Sequence, residues 1–136
     1  MSTTKTLSLR VLTVDDSPVI AHRMKLLLGE FESVQWIGNA ERIADALEII
    51  NNEKPHVVIL DINLSHDKPH NGIDLLVLVK KMFPMIRVIM FTNLSEQKYK
   101  DMCSVAGADY FFDKSSQFQL AIDVARSSVA RFRRSI

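Results

Sequence analysis

At 136 residues, with 47% hydrophobic and 24% charged side chains, the chain has the size and composition of one globular domain that buries its own core without staples. A formal net charge of +1 gives no global attraction to nucleic acid or an anionic membrane, and the single cysteine, Cys103, cannot close an internal disulfide. No apolar run approaches the roughly 20 residues that span a bilayer, and the polar stretch Met1 to Leu7 lacks a signal-peptide core, so the expected setting is the cytoplasm.

Leu9 to Val14 reads as a first strand, followed at once by Asp15-Asp16-Ser17-Pro18. Asp16 or Ser17 suits a helix cap and Pro18 a first helical turn. Val19, Ile20, Met24, Leu27, Leu28 and Phe31 recur near the helical period, which predicts a helix to about Glu30. Val34 to Gly38 is a short second strand, and Arg42 to Asn51 a second amphipathic helix stopped by Asn51-Asn52-Glu53-Lys54-Pro55. Val57-Val58-Ile59-Leu60 is apolar throughout and mostly β-branched, the mark of a strand buried on both faces. It ends abruptly in Asp61, and a long polar loop, Asn63 to Asn71, follows.

Gly72 opens a third helix to about Met82, ended by Phe83-Pro84. Ile86 to Phe91 is the fourth strand, terminating in Thr92-Asn93. Ser95 is the expected cap of a fourth helix through Ala106, closed by Gly107 as a C′ glycine. Asp109 to Phe112 is a brief fifth strand ending in Asp113-Lys114. Ser115 or Ser116 is the expected cap of a last helix carrying Phe118, Leu120, Ala121, Val124 and Val129. Strict alternation of five strands with five helices predicts an α/β fold: one doubly wound parallel sheet with helices on both faces, since each parallel connection needs a crossover. No repeat or linker divides residues 1–136, so a single domain is expected.

The carboxyl ends of the strands carry Asp15 and Asp16, Asp61, Thr92, and Lys114. In a doubly wound sheet these ends share one edge, and the crevice lies where strand order reverses, here between the first and third strands. The expected cluster therefore holds three carboxylates, a hydroxyl and an ammonium. Like charges about 4 Å apart repel by about 4 kcal/mol at an effective dielectric near 20. Lys114 offsets one charge only, so the cluster takes up protons or binds a cation, and an all-oxygen set favours Mg²⁺ over Zn²⁺. Such a pocket attracts a phosphoryl group, and Asp61, leaving the central strand, is the best-placed nucleophile.

From Val11 to about Val129 the sequence resembles the receiver domain of bacterial two-component response regulators, of the chemotaxis-regulator type. The matching pieces are Val14-Asp15-Asp16-Ser17, Asp61-Ile62-Asn63-Leu64, Gly72 to Leu76, Phe91-Thr92 and Gly107 to Lys114. The resemblance implies a flavodoxin-like sheet in the order 2-1-3-4-5. It implies that Asp61 is the phosphoacceptor and Lys114 the phosphate-contacting lysine. Asp15, Asp16, Asp61 and the Asn63 carbonyl would hold Mg²⁺ or Mn²⁺. Thr92 would be the switch hydroxyl, Tyr110 the aromatic that follows it, and the Asn93 backbone N–H a phosphate contact. Implied partners are a sensor histidine kinase or histidine phosphotransfer protein as donor, and a downstream protein on the fourth-helix, fifth-strand, fifth-helix face. Phosphorylation-dependent homodimerisation through that face is a further expectation, whereas nucleic acid and membrane are not expected partners. The chemistry implied is self-phosphotransfer and autodephosphorylation rather than turnover of an outside substrate.

Three positions depart from the family pattern. The loop from Asp61 to Gly72 is a few residues longer than usual and has Ser65 where a proline is common. Its His66, Asp67 and His70 suggest a metal site only weakly, because polar loop residues are ordinarily solvated; altered partner fit or access to Asp61 is the expected effect. Ser115 replaces a proline that is often cis after the lysine, and since a cis non-proline bond costs about 2.5–4 kcal/mol, trans is expected. Asn93 follows Thr92 where a smaller residue is common. The methionines read as core filler, Cys103 as packed and reduced, Trp36 as partly buried, and Arg126 with Arg131, Arg133 and Arg134 as a basic helix end.

Competing readings are an aspartate-nucleophile phosphatase of the haloacid dehalogenase type and a flavin-binding module. The first wants an acidic residue at position 63, where Asn63 stands; the second wants a phosphate-cradling loop where Asp15-Asp16 would repel phosphate. A receiver that has lost phosphate chemistry is opposed by the complete set of five site residues. With no output domain in 136 residues, a stand-alone receiver is expected ahead of the receiver portion of a longer transcriptional regulator.

Overall fold

The structure is a computed structural model that describes residues 8–134, with side chains through residue 128. The polar stretch Met1 to Leu7 and the side chains of Val129, Arg131, Arg133 and Arg134 lie outside the described residues. The elements are β1 (Leu9–Val14), α1 (Pro18–Leu28), β2 (Val34–Ala40), α2 (Ile43–Glu53), β3 (Val57–Leu60), a 3₁₀ turn (Ser65–Asp67), α3 (Gly72–Met82), β4 (Arg87–Thr92), α4 (Gln97–Val105), β5 (Tyr110–Asp113) and α5 (Phe118–Arg134). All strand pairs are parallel, in the order β2-β1-β3-β4-β5, as the alternation predicts.

Side chains alternate across a strand, and β3 shows why it has no polar residue before Asp61. Val58 and Leu60 join a core with Ala46, Ile50, Leu75, Leu76, Val79 and Cys103, contributed by α2, α3 and α4. Val57 and Ile59 face the other way into a core with Met24, Leu28, Phe118, Ala121 and Ile122 from α1 and α5. Two apolar layers thus clamp the central strand, leaving its carboxyl end as the first place a charge can stand. Cys103 is buried in the first layer, and burial pushes its thiol up to about 11.

Local rules set the element ends. Ser17 caps α1 by accepting the Ile20 N–H at 3.4 Å, with Pro18 in the first turn. Asn71 and Asp74 form a reciprocal capping box at the start of α3. After α4, the Ala108 N–H reaches the Cys103 carbonyl and the Gly107 N–H that of Ser104, each at 3.0 Å. With Gly107 at φ +98°, this is the Schellman closure expected of a C′ glycine.

Several expectations are corrected. Ser95 does not cap α4: the extended residue before the helix is Glu96, which makes no side-chain cap bond, so Ser95 sits one position too early. Ser115 and Ser116 do not cap α5 either, because that helix begins at Phe118 and both hydroxyls donate to the Asp113 carboxylate, at 3.1 and 2.9 Å respectively. Strand β2 runs to Ala40 rather than Gly38, through a bulge where Val11 pairs with Trp36 and Leu12 with Gly38. Trp36 is half-buried and its indole N–H donates to the Thr13 hydroxyl at 3.1 Å. Arg126, in the basic end of α5, also lays its guanidinium 4.2 Å from the centre of the Phe31 ring. Among the described residues the one cis peptide is Lys68–Pro69, so the Lys114–Ser115 bond is trans.

Candidate functional site

Because β1 and β3 are neighbours, their carboxyl ends bring Asp15, Asp16 and Asp61 together. One ligand-type oxygen from each carboxylate lies within 4.8 Å of the others. Lys114 arrives from the end of β5, its backbone N–H bonded to the Thr92 carbonyl at 2.9 Å. Its ammonium donates to Asp15 Oδ2 and to Asp61 Oδ2, each at 2.7 Å. The Lys114, Asp15 and Asp61 side chains are only 8%, 7% and 6% exposed, so this charge triad is largely withdrawn from water.

Burial pushes Asp15 above its usual carboxylate value, although Lys114 pulls it the other way. For Lys114, burial opposes the charged form, but the bonds to Asp15 and Asp61 outweigh it and raise the ammonium above its usual value. Asp16 is the less buried of the acids. Its desolvation is outweighed by bonds from Ser65, and its carboxyl is held below the usual value. Three crowded carboxylates with one ammonium leave net negative charge and unshared oxygen lone pairs. That is the donor chemistry of a hard divalent cation, so the residues present fit Mg²⁺.

The other expected residues fall as follows. Thr92 is fully buried at the end of β4, and its hydroxyl oxygen accepts the Leu94 N–H at 3.2 Å. Exposed Asn93 follows it. The Asn63 N–H donates to Asp61 Oδ1 at 3.2 Å. Tyr110 is not brought to Thr92. It pairs with Ile89, and its ring stacks on Phe112, with centroids 6.0 Å apart, on the α1/α5 side of the sheet. Thr92 lies two residues beyond Met90, and Met90 pairs with Phe111 in the α3/α4 layer. By alternation, Phe111 shares the face of Thr92 and Tyr110 does not.

The loop histidines do not gather a metal site. His66 approaches Glu41 at 4.0 Å, His70 approaches Asp74 at 3.5 Å, and Asp67 turns to the Ile43 N–H at 2.7 Å. Among the described residues, Asp15, Asp16 and Asp61 are the only such cluster.

Sequence reasoning missed three supporting residues. The Ser17 N–H donates to Asp15 Oδ1 at 2.8 Å, and the Asn39 amide donates to the Asp15 carbonyl at 3.0 Å. The Ser65 N–H and hydroxyl both donate to Asp16 Oδ2, at 2.9 and 2.5 Å. Ser65 carried a signal, the loss of proline at that position; Asn39 carried none beyond its place at the end of a strand beside β1.

The response regulator receiver domain family matches residues 11–125. Among curated relatives, the sensory transduction protein LytT of Bacillus anthracis is 42% identical over 102 residues, 75% of this chain and 40% of that protein. The chain thus spans about half the length of that relative. The response regulator domain of Thermotoga maritima CheB superposes with a TM-score of 0.76 at 27% identity, covering 91% of this chain and 95% of that one. A CheY-like receiver domain protein of Methanospirillum hungatei gives a TM-score of 0.79 at 24% identity, covering 96% and 99%; at that identity it supports the fold alone. With the acidic cluster, the lysine and the strand order in place, the chain belongs to the family of response regulator receiver domains of two-component systems.

Proposed function

We propose that Asp61 is the phosphoacceptor of this receiver and that its site residues act as follows. The observation that carries the reading is the Lys114 ammonium held at 2.7 Å from both Asp61 and Asp15, with Asp16 beside them. An Asp61 carboxylate oxygen attacks the phosphorus of a phosphohistidine donor. A P–O bond forms, the P–N bond breaks, and its electron pair stays on the leaving imidazole. Asp15, Asp16, Asp61 and the Asn63 carbonyl are the groups to hold Mg²⁺, or Mn²⁺, which when bound supplies positive charge shared with the phosphoryl oxygens.

Lys114 neutralises charge on the acceptor side without needing to move far. The Thr92 hydroxyl, accepting from Leu94, keeps its proton to donate to a phosphoryl oxygen, and the Asn93 N–H is a second donor there. The aromatic that follows Thr92 is assigned to Phe111 rather than Tyr110, because Phe111 lies on the same face of the sheet. Partner binding would then change on the face formed by α4, β5 and α5. The donor class is a sensor histidine kinase or histidine phosphotransfer protein, and the receiver output is a protein contact or self-association. Asn63 supplies an amide where an aspartate-nucleophile phosphatase needs an acid, which disfavours turnover of an outside substrate.

The test is intact mass after incubation with acetyl phosphate, with and without Mg²⁺, beside Asp61→Asn. The expected result is a Mg²⁺-dependent gain of one phosphoryl group that the variant lacks. No gain, together with no response to beryllofluoride, would overturn the reading.

A further inference from the structure

Position 65 stands in the loop that leaves the acceptor strand, and its contacts set it apart from an ordinary solvated serine. Asp16 Oδ2 accepts both the Ser65 backbone N–H, at 2.9 Å, and the Ser65 hydroxyl, at 2.5 Å. A proline at this position offers neither donor. The neighbouring loop residues brace the contact from outside. Asp67 accepts the Ile43 N–H at the start of α2, at 2.7 Å, and His66 lies 4.0 Å from Glu41, just before that helix. The 3₁₀ turn is therefore tied at one end to the acidic cluster and at the other to α2.

Two donors from one residue fix the rotation of the Asp16 carboxylate. Asp16 needs such a fixture more than its neighbours do. Asp15 and Asp61 are buried and pinned by Lys114, whereas Asp16 is only half-buried and has no cation of its own among the described residues. Ordering a carboxylate before a cation arrives removes that cost from binding, and groups that orient a metal ligand through hydrogen bonds govern affinity although they never touch the metal.

We infer that Ser65 is a positioning residue for the divalent cation: it holds Asp16 in the orientation that keeps a carboxylate oxygen within 4.8 Å of those of Asp15 and Asp61, a function that a proline at this position cannot supply. The inference rests on the cation site proposed above, and its test separates the two. Mg²⁺ alone is titrated into the full chain, without phosphoryl donor, and binding is followed by backbone amide shifts in ¹H–¹⁵N spectra. The parent chain is compared with Ser65→Ala, Ser65→Pro and Ser65→Thr, each checked for an unchanged thermal midpoint in chelator.

Ser65→Ala keeps the N–H and loses the hydroxyl, and should bind Mg²⁺ about tenfold more weakly. Ser65→Pro loses both donors and should be weaker again. Ser65→Thr retains both and should stay close to the parent, a rescue that a merely structural role does not predict. Parent-like Mg²⁺ affinity in Ser65→Ala, or tighter binding, would overturn the positioning role while leaving the cation site intact. No Mg²⁺ response in the parent chain would overturn the site and the positioning role together.

Discussion

A Cβ built on Gly72 stands 1.9 Å from the carbonyl oxygen of Asp61 and 2.9 Å from its carbonyl carbon. The first residue of α3 is thus pressed against the backbone of Asp61, and its N–H donates to the Ile62 carbonyl at 2.7 Å. Nothing but hydrogen fits, because the obstacle is backbone rather than a flexible side chain. Gly72→Ala should cost about 3 kcal/mol, the upper range for overpacking, and should slow labelling of Asp61 by acetyl phosphate. Gly107→Ala is the control. It strains a φ of +98° far from the acids, should cost about 1–2 kcal/mol, and should leave labelling unchanged. Calorimetry and mass spectrometry on the two variants check both statements.

Removing the ammonium should unbalance the acids. Lys114→Met leaves Asp15 and Asp61 facing each other without a counter-ion in a setting from which water is largely excluded. Breaking a buried ion pair from one side costs about 3 kcal/mol, and the loss should appear in urea melts near neutral pH. Added Mg²⁺ should restore more stability to Lys114→Met than to the parent chain, since the cation then replaces the missing charge. Equal Mg²⁺ stabilisation of both proteins would contradict the electrostatic account.

Much of this arrangement was legible in the chain, and the parts that were not share a physical cause. β3 could be read because burial on both faces demands an unbroken apolar run, and Asp61 because a charge ends that run. Gly107 could be read because a C′ glycine follows from backbone sterics alone. Ser95, Ser115 and Ser116 misled because serine serves turns as readily as caps; which it does depends on where the next helix starts, and that is set by packing. Tyr110 misled for another reason. Three aromatics in a row, Tyr110, Phe111 and Phe112, leave the strand without a polar and an apolar side, so its register had to come from pairing with β4. Asn39 and Asp67 act across the chain on Asp15 and Ile43, and no local pattern announces such a contact.

The register of β5 makes the choice of switch aromatic testable. Phe111→Ala should uncouple the α4–β5–α5 face from the site, so that beryllofluoride with Mg²⁺ still shifts the amides of residues 61 and 92 but no longer those of α4. Tyr110→Ala removes a ring packed on the opposite layer beside Phe112 and should leave the α4 response in place while lowering stability. ¹H–¹⁵N spectra of the two variants decide between them, and the reverse pattern would return the role to Tyr110.

His56 gives the fold a pH dependence away from the acids. Its Nδ1 accepts the Arg10 N–H at 2.9 Å, a bond only the neutral tautomer with its proton on Nε2 can make. Burial, with help from the Arg10 charge, lowers its pKa from the usual 6.5. The folded state therefore binds fewer protons at this residue than the unfolded chain. The stability it contributes is fully present above pH 6.5 and is lost as pH falls through the lowered folded value. His56→Gln retains an acceptor without titrating, so its thermal midpoint should fall less than that of the parent between about pH 7.5 and 5.5.

The long loop should stabilise α2 through one carboxylate. That helix begins at Ile43 behind Arg42, which offers no side-chain cap, and the first free N–H, that of Ile43, is taken by Asp67 Oδ2 from 24 residues away. The acceptor is negatively charged and sits at the positive end of the helix dipole, so hydrogen bonding and electrostatics act together. Asp67→Ala should cost about 1 kcal/mol, as for a lost cap. Asp67→Asn keeps an oxygen in place and should lose only the charge contribution, about 0.5 kcal/mol, which salt should diminish further. Hydrogen exchange at the Ile43 amide is the direct readout. It should accelerate in Asp67→Ala while the amides in the middle of α2 stay protected, because the contact closes the helix end and not its core. Unchanged exchange at Ile43 would mean that this carboxylate does not cap α2 in solution.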